Sequence, residues 1–208
     1  MESWQALKAG GPTLYPLFFL ALIATTIMID RLWLIWRHVG LQTPLEKVLL
    51  LPSFTWEQLA HATGSDATNY YAQFGQTFVE HRHRPLWWIE SRAQERAQEL
   101  EKSLGRGLWL LETIVTAAPL LGLLGTITGM MHAFHLIGSN GLVDPGGITG
   151  GVAQALIATA VGIFIALIAL FGFNYCSRQQ TRMMEDMERI GTLLLDRIRL
   201  DHEGNDSP

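Results

Sequence analysis

The chain has 208 residues, of which 49% are hydrophobic and only 16% are charged, whereas soluble domains carry about 25% charged residues. This composition excludes an ordinary soluble domain and favours a membrane protein. The formal net charge of −4 indicates neither a nucleic-acid partner nor a basic surface for anionic lipid.

Three uncharged stretches are long enough to cross about 30 Å of hydrocarbon as helices, which takes roughly 20 residues each. They are residues 12–29, 113–137 and 148–175. The first could be a secretory signal, but Glu2 offsets Lys8 before it and no small-residue cleavage site precedes the closing sequence IDRLWLIWR. We interpret it as a retained membrane anchor. The lone Cys176 cannot form a disulfide within the chain.

Basic residues near the spans predict the orientation, because Lys and Arg are retained on the cytoplasmic side. The segment between the first two spans and the tail after the third are rich in Arg. The loop GSNGLVDPGG has no Lys or Arg, and the N-terminal arm has only Lys8. The sequence therefore predicts that the N-terminus lies outside and that the long segment and the tail lie in the cytoplasm.

The cytoplasmic segment changes character at Pro85. Before it, Pro44, Pro52 and the sequence TGSDAT separate short amphipathic pieces, which predicts helices of a few turns. After it, charged residues at four-residue spacing favour one long helix, and no strong stop signal precedes the second span. A continuous helix over residues 85–137 would be about 80 Å long at roughly 1.5 Å per residue.

The third span is predicted to continue into the tail as a helix. Apolar residues recur there at helical spacing, namely Met183, Met187, Ile190 and Leu194. Only the final EGNDSP has the composition of a disordered end. Two long helices would thus form a cytoplasmic bundle.

Small residues form stripes along the second and third spans. Gly122, Gly125 and Gly129 recur every three or four residues, and the third span has a similar series at Ala155, Ala158, Gly162, Ala166 and Ala169. Such stripes let helix backbones approach closely within lipid. We predict packing faces at both.

Hydroxyl and amide side chains lie on the same two spans. Thr126 and Thr159 sit near the middle of theirs, where a hydroxyl gains nothing from lipid, although it can bond to the carbonyl one turn back. With Thr128, Thr149 and Gln154 they suggest a polar seam.

Other polar residues have ordinary interpretations. His132 and His135 lie near the outer end of the second span without a carboxylate or Cys beside them, which disfavours a metal site. The sequence EHRHRP is interpreted as a charged surface, and Asp30–Arg31, near Trp33 and Trp36, as an interfacial pair. No nucleophile elbow, phosphate loop or HExxH sequence is present, so neither an enzyme, a cofactor nor a metal is predicted.

The sequence LETIVTAAPLLGLLGTITGMMHAF, a polar loop and then GGVAQALIATAVGIFIALIALFGFNY resemble the core of a known family. It is the MotA/TolQ/ExbB proton channel family, in its three-span ExbB/TolQ branch. The resemblance covers residues 95–175, with weaker similarity in MIDRLWLIWR and none that is useful over residues 40–84.

The resemblance implies a homopentamer in the bacterial inner membrane, whose second and third spans line a pore while the first faces lipid. A dimer of a single-span partner of the ExbD or TolR type would occupy that pore and supply the aspartate that carries protons. The work would pass to a TonB-like or TolA-like energy transducer in the periplasm. The implied fold class is an all-α integral membrane protein with three transmembrane helices, long helical cytoplasmic extensions, a periplasmic N-terminus and a cytoplasmic C-terminus.

The resemblance also implies roles for individual residues of this chain. Thr126 and Thr159 match the pore threonines, and Gly122, Gly125 and Ala155 match close-packing positions. Gln154 replaces the Glu that many relatives have, and an amide cannot titrate. Glu112, at the cytoplasmic mouth of the second span, would affect ion exit.

The predicted organisation has six parts: an arm and first span (1–36), a cytoplasmic segment (37–111), the second span (112–137), a periplasmic loop (138–147), the third span (148–175) and a cytoplasmic helix and tail (176–208). Two other functions stay open. One is a membrane scaffold without an ion path, and the other a small-solute transporter, which the absence of inverted repeats or broken helices disfavours. The choice between TonB and TolA as client also stays open.

Overall fold

A computed structural model describes residues 11–39, 55–64, 68–138 and 145–205. Some of the sequence predictions fall outside these ranges. They concern most of the N-terminal arm, the pieces around Pro44 and Pro52, the middle of the TGSDAT turn, most of the outer loop and the last three residues of the tail.

The described residues form six α-helices and no strand. They are α1 (Leu14–Leu34), α2 (Trp56–Gly64), α3 (Tyr70–His81), α4 (Leu86–Gly105), α5 (Leu108–Gly138) and α6 (Pro145–Asn205), and a π-helical turn, Ile35–Val39, follows α1. Three helical stretches, within α1, α4–α5 and α6, are long and apolar enough to cross a membrane. The predicted all-α membrane fold with three spans is therefore confirmed.

The chain divides into two compact units. The first, here the membrane unit, comprises Met1–Ile29 and Gly107–Tyr175, and the second, here the helical unit, comprises Asp30–Arg106 and Cys176–Pro208. In the membrane unit α1 packs on α6, since a Cβ at Gly172 would lie 2.7 Å from Met28 Sδ. The turn before α1 contacts α5, since a Cβ at Gly125 would lie 2.9 Å from Thr13 Oγ1. Large apolar side chains such as Phe18, Phe19 and Phe164 are exposed, which leaves them available for lipid or other subunits.

The helical unit has an apolar core of its own, supplied by α2, α3, α4 and the second half of α6. Met183, Met187 and Leu194 are fully buried there, and so are Leu59, Phe78, Ile89 and Ile198. The predicted helical face of the tail is therefore confirmed. Asn69 caps α3, because its side-chain oxygen accepts a hydrogen bond from Tyr71 N at 2.9 Å.

The prediction of one helix over residues 85–137 is wrong. Helix α4 ends at Gly105 and α5 begins at Leu108. Gly107 has a φ of +84°, a left-handed conformation that glycine adopts without strain and that commonly terminates helices. The sequence Gly-Arg-Gly was the available stop signal, and the good helical periodicity on both sides of it concealed the break.

Candidate functional site

The second and third spans meet along a seam of small residues, here the α5–α6 seam. A Cβ at Gly122 would lie 3.0 Å from the Ala158 carbonyl oxygen, and one at Gly129 would lie 3.0 Å from Ala155 Cβ. At Gly162 it would be only 2.5 Å from the Ala118 carbonyl oxygen. Contact at this distance is backbone against backbone, as in other small-residue helix pairs in membranes.

Replacing Gly162 by alanine should therefore destabilise the membrane unit, although alanine is the better helix former. The added methyl would meet the Ala118 carbonyl, which belongs to a rigid helix backbone, and overpacking of this kind costs about 1–3 kcal/mol. Gly150→Ala is the matched control, because nothing lies within 4 Å of a Cβ at that α6 position. In detergent, the melting temperature should fall for Gly162→Ala but not for Gly150→Ala. Equal melting temperatures of the two variants would contradict the close contact between α5 and α6.

Thr159 joins the two spans through its hydroxyl. Its Oγ1 donates to the backbone carbonyl oxygen of Gly122 at 2.9 Å, across the helix pair. Thr126 and Thr128 bond within α5 instead: Thr126 donates to the Leu123 carbonyl at 2.6 Å and Thr128 to that of Leu124 at 3.0 Å. A threonine hydroxyl has one hydrogen to donate and two lone pairs. Thr126 and Thr159, both half-buried, therefore keep an oxygen that can accept a hydrogen bond.

Gln154, on α6, contacts the turn that leads into α1 and points away from Thr159. Its Nε2 would be 1.7 Å from a Cβ on Gly11, which means that the amide rests directly on the Gly11 backbone. Gly11 has a φ of +70° in the turn that leads into α1. Because Gln154 and Thr159 are five residues apart, they point about 140° away from each other around α6.

Glu112 lies near one end of α5, and His132 and His135 lie near the other. Glu112 is exposed one turn into the helix, and no ion pair of its carboxylate occurs within the described residues. His132 and His135 are also exposed. Between them, and throughout α6 as far as Tyr175, the chain has no Asp, Glu, Lys or Arg. Among the described residues no group of His, Cys, Asp or Glu could hold a metal ion.

The chemistry of the α5–α6 seam follows from these contacts. It offers hydroxyl oxygens and backbone carbonyls but no group that takes up or releases a proton near neutral pH. The seam can orient a carboxyl group or water that reaches it.

Arg31 pairs with Asp30, as the sequence interpretation predicted, but it also has structural contacts that the sequence did not indicate. It is buried in the helical unit, where Nη1 donates to the carbonyl oxygens of Ser103 at 2.7 Å and Leu104 at 3.2 Å. These carbonyls belong to the last turn of α4, where a positive charge is favoured by the helix dipole. Nη2 also pairs with Asp30 Oδ2 at 2.7 Å. The only feature of the sequence that pointed to these contacts was the position of a charged residue directly after an apolar span.

Cys176 lies in the same unit and is buried. Burial raises the pKa of its thiol, and the nearby Arg31 charge offsets this only in part. A raised pKa leaves less of the reactive thiolate at neutral pH.

Comparisons with known proteins agree with these features. Residues 67–189 match the profile of the MotA/TolQ/ExbB proton channel family. Biopolymer transport protein ExbB-like 1 of Synechocystis is 27% identical over 89% of this chain and 74% of its own length.

Biopolymer transport protein ExbB of Aquifex aeolicus is 37% identical over 44% of this chain and 62% of its own length. Biopolymer transport protein ExbB of Xanthomonas campestris is 43% identical over 36% of this chain and 30% of its own length. The chain thus matches less than two thirds of the length of these two relatives. With more than half of its residues inside the family profile and three apolar spans, this multi-pass protein of the bacterial inner membrane belongs to the MotA/TolQ/ExbB proton channel family.

Proposed function

We propose that the chain is the pore-forming subunit of an inner-membrane motor driven by the proton-motive force, of the ExbB–ExbD or TolQ–TolR type. Five copies would surround a dimer of a single-span partner. The N-terminus would lie in the periplasm and the helical unit in the cytoplasm, as the distribution of Lys and Arg favours. Work would pass to a TonB-like or TolA-like transducer.

One observation carries this proposal: spans α5 and α6 have threonine hydroxyls, at Thr126 and Thr159, but no carboxylate that could carry a proton. An ionised carboxylate at the bilayer centre costs about 2.5–3.5 kcal/mol on insertion scales and is kept there only for function. This chain belongs to a family of proton channels but has no carboxylate within α5 or the membrane part of α6. We therefore infer that a partner supplies the carboxylate. The exposed apolar surfaces of α5 and α6 support the presence of further subunits.

In the proposed mechanism Thr126 and Thr159 position the partner's carboxyl group. When that group is protonated it can donate to a threonine oxygen, since the threonine hydrogens already bond to Leu123 and Gly122 carbonyls. When it loses its proton, rotation of a hydroxyl would let the threonine donate to the carboxylate, which stabilises the charged form. The two threonines would thus alternate between acceptor and donor as protons pass.

Gln154 and Glu112 have lesser parts in the proposal. Gln154 is neutral and rests on Gly11, so it would act on proton entry through the shape of the outer mouth and not by titration. Glu112, which is exposed at the other end of α5, would attract protons or water leaving the path.

The composition of the complex tests the proposal. The tagged chain should be purified in mild detergent from its native host and examined by native mass spectrometry. We expect five copies of the chain with two copies of a protein that has one span and an intramembrane Asp. An assembly of this chain alone, from cells that also express such a partner, would instead support a scaffold without an ion path.

A further inference from the structure

One side of α5 connects Glu112 with Thr126. Glu112, Thr116, Pro119, Leu123 and Thr126 follow one another at spacings of four, three, four and three residues, which places them on one side of a helix. Glu112, Thr116 and Leu123 are exposed, and Pro119 and Thr126 are half-buried. This side, here the Glu112–Thr126 stripe, therefore joins the proposed exit for protons to the proposed pore threonine.

Pro119 removes a hydrogen bond from the interior of α5. Proline has no amide hydrogen, so the Val115 carbonyl loses the bond that it would receive in an uninterrupted helix. The hydroxyl of Thr116 does not replace that bond, because it donates to the Thr113 carbonyl at 2.9 Å. In a membrane, carbonyls freed by proline are satisfied by neighbouring helices, hydroxyls or water. The Val115 carbonyl is therefore an acceptor that water can use.

Thr116 supplies a second acceptor beside the first. Its hydrogen is taken up by the Thr113 carbonyl, so the lone pairs of its exposed oxygen remain. Two oxygens that accept without donating bind water, and they bind its protonated form more strongly because a charged donor makes a stronger hydrogen bond. Glu112 lies one helical turn away on the same stripe and is exposed. Its carboxylate can therefore receive a proton from water held at Thr116.

We infer that Thr116 and the Val115 carbonyl hold water that carries protons from the partner's carboxyl group to Glu112. This inference rests on the proposed motor function and supplies the cytoplasmic half of its path. Thr116 lies about 15 Å from Thr126 along the helix axis at roughly 1.5 Å per residue, so the carboxyl group passes its proton through a short chain of waters.

The transfer restores each group that takes part in it. The partner's carboxyl group gives up a proton and becomes a carboxylate, and the water at Thr116 becomes hydronium. The hydronium ion then gives one proton to the Glu112 carboxylate and returns to water, and Glu112 releases that proton to the cytoplasm. Thr116 is a positioning residue in this sequence, because it orients the water and exchanges no proton itself.

The test is proton flux through the complex of the chain with its single-span partner in liposomes. Thr116→Val keeps the shape of the side chain but removes its oxygen. It should lower the flux about tenfold, because a hydrogen bond to a charged group is lost. Thr116→Ser keeps the hydroxyl and should restore most of the flux, which replacement of a residue that only packs would not do.

Thr113→Val is the matched control. Thr113 is also exposed near the start of α5, and its hydroxyl bonds to the Trp109 carbonyl of its own helix at 2.8 Å. It lies about 140° from Thr126 around the helix, at roughly 100° per residue, and therefore outside the Glu112–Thr126 stripe. The flux through this variant should equal that of the unaltered complex.

Pro119→Ala separates the proposed role from the stability of α5. Alanine is the better helix former, and its amide hydrogen can bond to the Val115 carbonyl. The melting temperature of the complex should therefore stay the same or rise, while the proton flux falls. Glu112→Gln should also lower the flux, and adding it to Thr116→Val should cause little further loss, because both residues act on the same path.

The outcomes distinguish this inference from the function on which it rests. An unaltered complex that conducts no protons would overturn the proposed function and this inference with it. Full flux from both Thr116→Val and Pro119→Ala, in a complex that conducts when unaltered, would overturn this inference alone. Loss of the partner from the Thr116→Val complex in native mass spectra would also overturn it, because Thr116 would then serve subunit packing.

Discussion

Replacing Thr159 by valine should abolish energisation of the client while leaving the protein folded and assembled. Valine has nearly the shape of threonine and removes only the hydroxyl, which donates to the Gly122 carbonyl. Such bonds contribute on average about 0.6 kcal/mol in membrane proteins, so the helix pair should survive. The proposed exchange of hydrogen bonds with a partner carboxyl group would be lost, because valine has no hydroxyl. Thr126→Val should act in the same way.

The measurement is siderophore uptake or envelope integrity in cells at equal membrane abundance of each variant. Thr25→Val is the control, since Thr25 is exposed on α1 and its hydroxyl bonds to the Ala21 carbonyl of its own helix at 2.7 Å. It should retain full activity, and Thr159→Ser should recover much of it because serine keeps the hydroxyl. Full activity of both valine variants would mean that the threonines only pack.

Removing the Arg31 guanidinium should destabilise the helical unit by about 2–4 kcal/mol, given that a hydrogen bond to a charged group contributes about 1.5–3 kcal/mol. Arg31→Met keeps a long apolar side chain but leaves the Ser103 and Leu104 carbonyls without their donor. Hydrogen exchange should rise most in the last turn of α4. Arg31→Lys should be intermediate, because one ammonium group cannot reach both carbonyls and Asp30 in a planar fork.

Arg37→Met is the control for the loss of one positive charge. Arg37 is exposed, with its guanidinium carbon 5.3 Å from the centre of the Trp33 ring. Its replacement should change melting temperature little. Equal effects of the Arg31 and Arg37 variants would contradict a capping role for Arg31.

The sequence predicted the spans and the helical tail because both depend on local patterns. Uncharged length identifies α1, α5 and the first part of α6, and the spacing of Met183, Met187 and Leu194 identifies the rest of α6. The break before α5 depends on the left-handed conformation of Gly107, which a pattern of charges and apolar residues does not encode. Local sequence patterns therefore predicted which segments are helical more accurately than where each helix ends.

The contacts of the candidate site were less predictable, because they depend on how two helices register against each other. Stripes of glycine and alanine indicated that α5 and α6 approach closely, but they did not reveal that Thr159 faces the Gly122 carbonyl. Gln154 belonged to the suggested polar seam, yet it rests on Gly11, far along the chain. Arg31 likewise reaches residues more than 70 positions away, a separation at which sequence spacing carries no information.

Proton flux through reconstituted protein tests the central claim most directly, namely that this chain provides the path and a partner provides the proton carrier. The purified chain alone and its complex with the co-purifying single-span protein are placed in liposomes containing a pH-sensitive dye, and a membrane potential is applied. We predict flux from the complex, its loss when the partner's intramembrane Asp is replaced by Asn, and no flux above empty liposomes from the chain alone. Rapid flux from the chain alone, equal to that of the complex, would contradict the account.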